Sequence, residues 1–163
     1  MRKLKLYLDT SVISYLFAED AKEKMEITRT FWEKVVNEEY QIYLSREVLR
    51  EINNCSQPKR SSMLRKLREI NFKLLEDCTE VEKLSIEYIK NKFLPKSSHV
   101  DTKHIAHAVI SKCDFLISWN FKHLVNNKME NNIKKINVIS NYKEIGIASP
   151  SIIIERNDSD EGR

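Results

Sequence analysis

Glycine is the scarcest informative residue in this chain: two in 163 positions, Gly146 and Gly162, both late in the sequence. Loops that cradle phosphate through backbone N–H groups need clustered glycines for close approach. Dinucleotide-binding and P-loop sites of the usual design are therefore excluded, and any phosphate handled here must meet side chains or a metal ion. Cysteine is also sparse. Cys55, Cys78 and Cys113 are odd in number and far apart, with no C-x-x-C pair, which excludes a disulfide framework and suits reduced thiols in the cytoplasm. No apolar run approaches the ~18 residues needed to cross a bilayer, so no membrane partner is expected. The basic and apolar opening is interrupted at Asp9 and lacks a small-residue cleavage site, which argues against a signal peptide.

What is present describes a globular chain. The sequence is 41% hydrophobic and 32% charged, with 28 Lys+Arg against 24 Asp+Glu and a formal net charge of +4. A chain of this length fits one domain with a substantial core. The mild positive balance makes an anionic partner plausible on charge alone.

Strand and helix signals alternate. Residues 4–8 read as a strand bounded by Asp9-Thr10-Ser11, a helix-capping sequence, with a short apolar helix over Val12–Phe17. Ile27, Phe31, Val35 and Val36 place a helix over 22–39, and Gln41–Leu44 a second strand, with Ser45 capping a helix over 46–53. Met63, Leu64, Leu67 and Ile70 follow Pro58 as another helix, and 72–75 is a third strand candidate. Thr79 and Glu82 have capping-box spacing for a helix ending near Pro95. A helix over 100–112, a buried strand at 115–118, a short helix over 120–126 and a strand at Ile136–Ile139 complete the pattern. The expected fold class is α/β, a central mostly parallel sheet flanked by helices in three layers. Residues 1–150 are expected as one domain, with 151–163 a C-terminal strand or tail that frays from Asn157.

In open α/β sheets, ligands bind outside the carboxyl ends of the strands. Asp9 follows the first strand, Ser45 and the helix bearing Glu47 and Glu51 follow the second, and Trp119-Asn120 follow the strand 115–118. Asp101 opens the helix leading into that strand. Singly, Asp9 and Asp101 are ordinary helix caps, Glu51 an ordinary solvated acid and Asn120 an ordinary cap. Together, three acids from distant positions meet at one sheet edge.

Four segments taken in order resemble the PIN domain, most closely the VapC-type toxins of prokaryotic toxin–antitoxin pairs. They are Leu8-Asp9-Thr10-Ser11-Val12-Ile13-Ser14, the Ser45…Glu51 spacing, Asp101-Thr102-Lys103-His104-Ile105-Ala106-His107-Ala108, and Asp114-Phe115-Leu116-Ile117-Ser118-Trp119-Asn120-Phe121-Lys122-His123-Leu124. The resemblance runs from residue 4 to about 140. It implies a metal-dependent endoribonuclease and toxin, with Asp9 and Asp101 as ligands of Mg²⁺, or of Mn²⁺ in its place, and Glu51 as the third acid. It further implies RNA as substrate, a small antitoxin protein as partner, and homodimerisation. Clustered carboxylates repel one another unless a cation neutralises them, and Mg²⁺ takes oxygen ligands together with substrate phosphate. Many family members place an aspartate where Asn120 stands. Its neutral amide favours one stable Mg²⁺, with a second recruited by RNA. Thr10, Ser118 and His104 are further candidates beside the acids.

Three other readings are open at this point. A PIN domain without catalysis would bind RNA or a protein, and Asn120 is the residue that points there. A haloacid-dehalogenase-type phosphatase would want an acid at Ser11 and a following glycine, which the chain lacks. His104, His107 and His123 could form a zinc set, but His104 belongs to the Asp101-x-x-His104 pattern just described. Lys59, Arg60, Arg65, Lys66 and Arg68 make the helix after Pro58 basic: a solvated face, a flank for RNA phosphates, or a seat for an acidic antitoxin segment.

Overall fold

The structure, a computed structural model, describes residues 2–90, 99–120 and 127–161; the side chains of 99–101, 127–130, 132 and 160–161 lie outside that description. Strands β1 (Lys5–Leu8), β2 (Gln41–Ser45), β3 (Lys73–Leu75), β4 (Phe115–Ile117) and β5 (Gly146–Ala148) form one sheet in the order β3-β2-β1-β4-β5. Every pairing is parallel. Between and after them lie α1 (Thr10–Ser14) with a 3-10 turn to Phe17, α2 (Lys22–Val36), α3 (Arg46–Asn53), α4 (Lys59–Leu67), α5 (Thr79–Lys90), α6 (His99–Ile110), α7 (Asn127–Ile139) and α8 (Pro150–Glu161). The result is the expected three-layer α/β sandwich.

The central strand β1 buries Leu6, Tyr7 and Leu8 completely, as an interior parallel strand covered on both faces must. Helix α2 buries Met25, Thr28, Phe31, Trp32 and Val35, a three-and-four spacing that gives it one apolar stripe. Each large apolar side chain enclosed in this way contributes about 1.5–3 kcal/mol. Helix α6 is enclosed more fully, with Thr102 and every side chain from His104 to Val109 buried. It packs on α5, α3, β2 and β4, while α2 packs on α8.

The chain runs outward from β1 through β2 to β3, then crosses back to β4 on the other side of β1. The direction of winding therefore reverses between β1 and β4. Asp9 and Ser118 stand at the carboxyl ends of those two strands, where a crevice forms in such sheets.

The sequence reading is corrected in three places. Ile136–Ile139 is the last turn of α7, not a strand: Ile133, Ile136 and Asn137 face inward, while Val138 and Ile139 are exposed. A short apolar run is ambiguous between the two periodicities, and the helix begun at residue 127 decides it. The fifth strand is Gly146–Ala148 instead, where Gly146 lies opposite Phe115. A β-carbon at Gly146 would come within 2.5 Å of the Phe115 ring, so this glycine admits the aromatic side chain. The C-terminal segment expected as a strand or fraying tail is helix α8, seated through buried Ile153 and a 2.6 Å hydrogen bond from the Asn157 amide to Tyr40 Oη. Helix α1 also begins at Thr10, two residues before the expected start. The short helix expected over 120–126 lies almost wholly outside the described residues, as do the residues up to Pro95.

Candidate active site

Asp9 ends β1 in extended backbone (φ −82°, ψ 173°) and caps α1, accepting the Ser11 N–H at 3.0 Å. The same carboxylate oxygen accepts the Ser11 hydroxyl at 2.5 Å, and the other accepts the Ser118 hydroxyl. Asp9 is 5% exposed. Burial pushes its carboxyl above the usual aspartate range, and the nearby Glu51 charge acts in the same direction; the field of His104 and the two serine hydroxyls oppose them. Ser11 Oγ also accepts the Trp119 N–H at 2.8 Å, and Ser118 Oγ the Asn120 N–H at 3.0 Å. The two serines thereby tie the ends of β1 and β4 around one carboxylate.

Glu51 arrives from α3 and His104 from α6. His104 Nε2 lies 2.5 Å from Glu51 Oε1. Burial alone would raise the Glu51 carboxyl, but the hydrogen bond and field of His104, helped by the Thr10 hydroxyl, hold it below the usual glutamate range. Thr10 Oγ1 is itself buried and, among the described residues, has no partner at full hydrogen-bond geometry. It therefore acts on Glu51 by proximity and keeps acceptor capacity to spare.

Asp9, Thr10, Ser118, Glu51 and His104 are thus gathered at the carboxyl edge of the sheet, and the exposed Asn120 joins them through its backbone. Asp101 lies in α6 one turn before His104, which puts it on the same helix face; its side chain lies outside the described residues, as does His123. Among the described residues no group of three His, Cys, Asp or Glu side chains forms a metal site. Glu47, four residues before Glu51, faces another charged cleft of about 320 Å³, with Arg50 at 2.6 Å and Lys103 at 3.5 Å. His107 is buried there. Burial and the nearby His104 hold its ring below the ordinary histidine range, and its Nε2 stands 4.0 Å from Asp77.

Two site residues, Ser11 and Tyr7, were not singled out from sequence, nor was the contact that the buried Ser45 hydroxyl makes. Tyr7 precedes Asp9 by two residues, a spacing that puts both on one face of a strand. Ser45 was read as a helix cap, and it occupies that position without making a cap bond. Its hydroxyl is spent on Tyr7 Oη, 2.6 Å away.

Solved structures share this architecture. A chain of VapBC2 from Rickettsia felis, in a complex bound to a DNA fragment from its promoter, matches with a TM-score of 0.58 and 15% identity, over 90% of this chain and 98% of that one. VapC20 of Mycobacterium tuberculosis, a toxin that cleaves the sarcin–ricin loop, matches with a TM-score of 0.56 and 15% identity, over 72% of this chain and 92% of that one. The fold is that of a VapC-like PIN domain. No protein-family model and no curated protein matches the sequence. Within this sheet, Asp9 lies at the crevice between β1 and β4, bonded to Ser118 at the end of β4. A cavity of about 720 Å³ lies elsewhere, lined by Leu16, Phe17, Trp32 and Val36 together with Arg29, Lys66, Glu33 and Glu69.

Proposed function

We propose that this chain is a divalent-ion-dependent endoribonuclease cleaving RNA phosphodiester bonds, and that it acts as the toxin of a toxin–antitoxin pair. The observation that carries this reading is Asp9. Its carboxylate is withdrawn from water at the winding reversal of the sheet, close enough to feel the Glu51 charge, and the hydrogen bonds it accepts come only from neutral groups among the described residues. A protein bears the desolvation of such an acid for a purpose, and a bound cation would relieve it.

The donor set fits a hard ion. Asp9 and Glu51 offer carboxylate oxygens, Thr10 an unspent hydroxyl, and Asp101 lies on the adjoining helix. Oxygen ligands of this kind suit Mg²⁺ or Mn²⁺, which Asp9, Glu51 and Asp101 would hold. When bound, such an ion supplies charge that polarises a phosphoryl oxygen and acidifies a water. The chain's own residues do the remaining work. Ser11 and Ser118 fix both oxygens of Asp9, Asn120 is set beside them through Ser118 as a neutral amide able to orient water or substrate, and the basic helix α4 packs against α1 and α3 at the site's border.

A small antitoxin and a second copy of the chain complete this reading. The groove beside Trp32 has apolar walls, with Arg29 and Lys66 balanced by Glu33 and Glu69, which suits an amphipathic segment. One residue favours a second reading, a PIN-like domain that binds RNA or protein without cutting: Asn120 supplies no charge where many relatives of the resembled family carry an acid.

RNA cleavage measured with Mg²⁺, with Mn²⁺ and with EDTA decides between them. The wild type is expected to cut only with the ion, and Asp9→Asn to cut at least about a hundredfold more slowly. Activity that survives EDTA, or equal activity in both proteins, would overturn the nuclease mechanism.

A further inference from the structure

We infer that His104 is a positioning residue for Glu51, clamped from behind by Tyr7 and Ser45 so that one oxygen of the Glu51 carboxylate is fixed and the other is left to the site. The inference rests on the nuclease reading above and specifies how its second acid is held.

The geometry is a continuous chain of short contacts across four elements. Ser45 Oγ at the end of β2 lies 2.6 Å from Tyr7 Oη, which lies 2.6 Å from His104 Nδ1. Across the ring, Nε2 lies 2.5 Å from Glu51 Oε1. Tyr7, Ser45 and His104 are all buried, at 0%, 0% and 3% exposure, whereas the Glu51 side chain is 37% exposed. The chain therefore begins in the core and ends on the one carboxylate that faces outward.

The donor assignments follow from elementary chemistry. A carboxylate only accepts, so Nε2 carries the proton and donates it to Glu51. That holds whether the ring is neutral or charged, and Tyr7 Oη then either donates to Nδ1 or accepts from it. Tyr7 keeps its proton, because burial drives its phenol well above the ordinary value. Packing alone does not call for these groups. A phenylalanine, an alanine and a leucine would fill the same space without the cost of burying two hydroxyls and an imidazole. What the polar set adds is direction: His104 cannot swing while Nδ1 is held, and Glu51 cannot rotate while Nε2 is held. A ring nitrogen anchored from behind and aimed at its target is how protein sites fix a histidine's orientation.

Four variants test the arrangement. His104→Leu removes the donor, His104→Gln keeps an amide N–H within comparable reach, Tyr7→Phe removes only the rear clamp, and Glu51→Gln removes the acceptor charge. In the ion-free protein, the imidazole ¹H–¹⁵N resonances of His104 are expected to show a strongly hydrogen-bonded Nε2–H. That signal should be displaced in Glu51→Gln and weakened in Tyr7→Phe. With Mn²⁺ and RNA, His104→Leu is expected to lower kcat and Mn²⁺ affinity by about 10- to 100-fold while KM for RNA stays nearly unchanged. His104→Gln should recover most of both. An Nε2–H signal indifferent to Glu51→Gln would overturn the positioning role, as would wild-type kcat and Mn²⁺ affinity in His104→Leu, or a His104→Gln as defective as His104→Leu. A wild type that neither binds Mn²⁺ nor cuts RNA, with the histidine signal as expected, would overturn the nuclease reading and leave the hydrogen-bonded chain standing.

Discussion

Asp9 accepts hydrogen bonds from the Ser11 backbone, the Ser11 hydroxyl and the Ser118 hydroxyl, and these do not offset its burial. Its carboxyl titrates above the unfolded value, chiefly through desolvation. The sign follows from linkage. Below the unfolded aspartate pKa both states are protonated and the residue costs nothing; as pH rises through the raised folded pKa, ionisation of the buried acid lowers stability. Asp9→Asn is therefore expected to melt at a higher temperature than the wild type at pH 7, with the gain shrinking toward pH 4. Thermal melts across that range check it, and an unchanged or lowered melting temperature at pH 7 would contradict the assignment. Saturating Mn²⁺ should narrow the gap, because an ion that binds only the folded wild type stabilises it. Asp9 was legible in the sequence because strand, acid and helix cap follow one another directly. Its serine partners were not, since Ser118 lies 107 residues from Ser11 and no local pattern joins them.

The scarcity of glycine is felt at the ends of elements. Helices usually close on a glycine in the left-handed region. Here α2, α6 and α7 close on Glu38, Lys112 and Asn141, at φ 58°, 61° and 62°. Each ending makes the same pair of bonds. Lys112 N–H reaches the Val109 carbonyl and Cys113 N–H the Ala108 carbonyl, both at 3.0 Å, and the other two helices repeat the arrangement. A side chain in this region costs roughly 1–2 kcal/mol, offset by the greater flexibility glycine gives the unfolded chain. Lys112→Gly is accordingly expected to stabilise the protein by about 1 kcal/mol, measured by denaturant unfolding; a destabilised variant would show that the Lys112 side chain contributes more than its backbone strain costs. The same scale explains the misread strand at 136–139. Four residues of sequence did not separate the two periodicities, and the nine preceding helical residues did.

At the scale of the whole molecule, a formal charge of +4 conceals an uneven arrangement. Asp9 and Glu51 sit at the carboxyl edge of the sheet, and α4, which packs on α1 and α3, carries exposed Arg65, with exposed Arg68 at its C-terminal end. Neither arginine forms an ion pair among the described residues. If both meet RNA phosphates, replacing them with alanine should reduce the slope of log affinity against log salt by about 1.4, from a contribution of about 0.7 per contact on single strands. Binding of an uncleavable oligonucleotide at several salt concentrations measures the slope, and an unaltered value would assign this face to another partner.

The sequence by itself determined the α/β class, most of the strands and helices, and the order in which the polar residues follow the strand ends. Periodicity and capping are local, so neighbouring residues suffice to express them. The tertiary structure alone decided that β5 lies at Gly146–Ala148, that α8 is a docked helix, and that a buried line of Ser45, Tyr7 and His104 ends on Glu51. Those features depend on contacts between residues 31 to 117 positions apart and on side chains whose polarity makes sense only once their partners are in place.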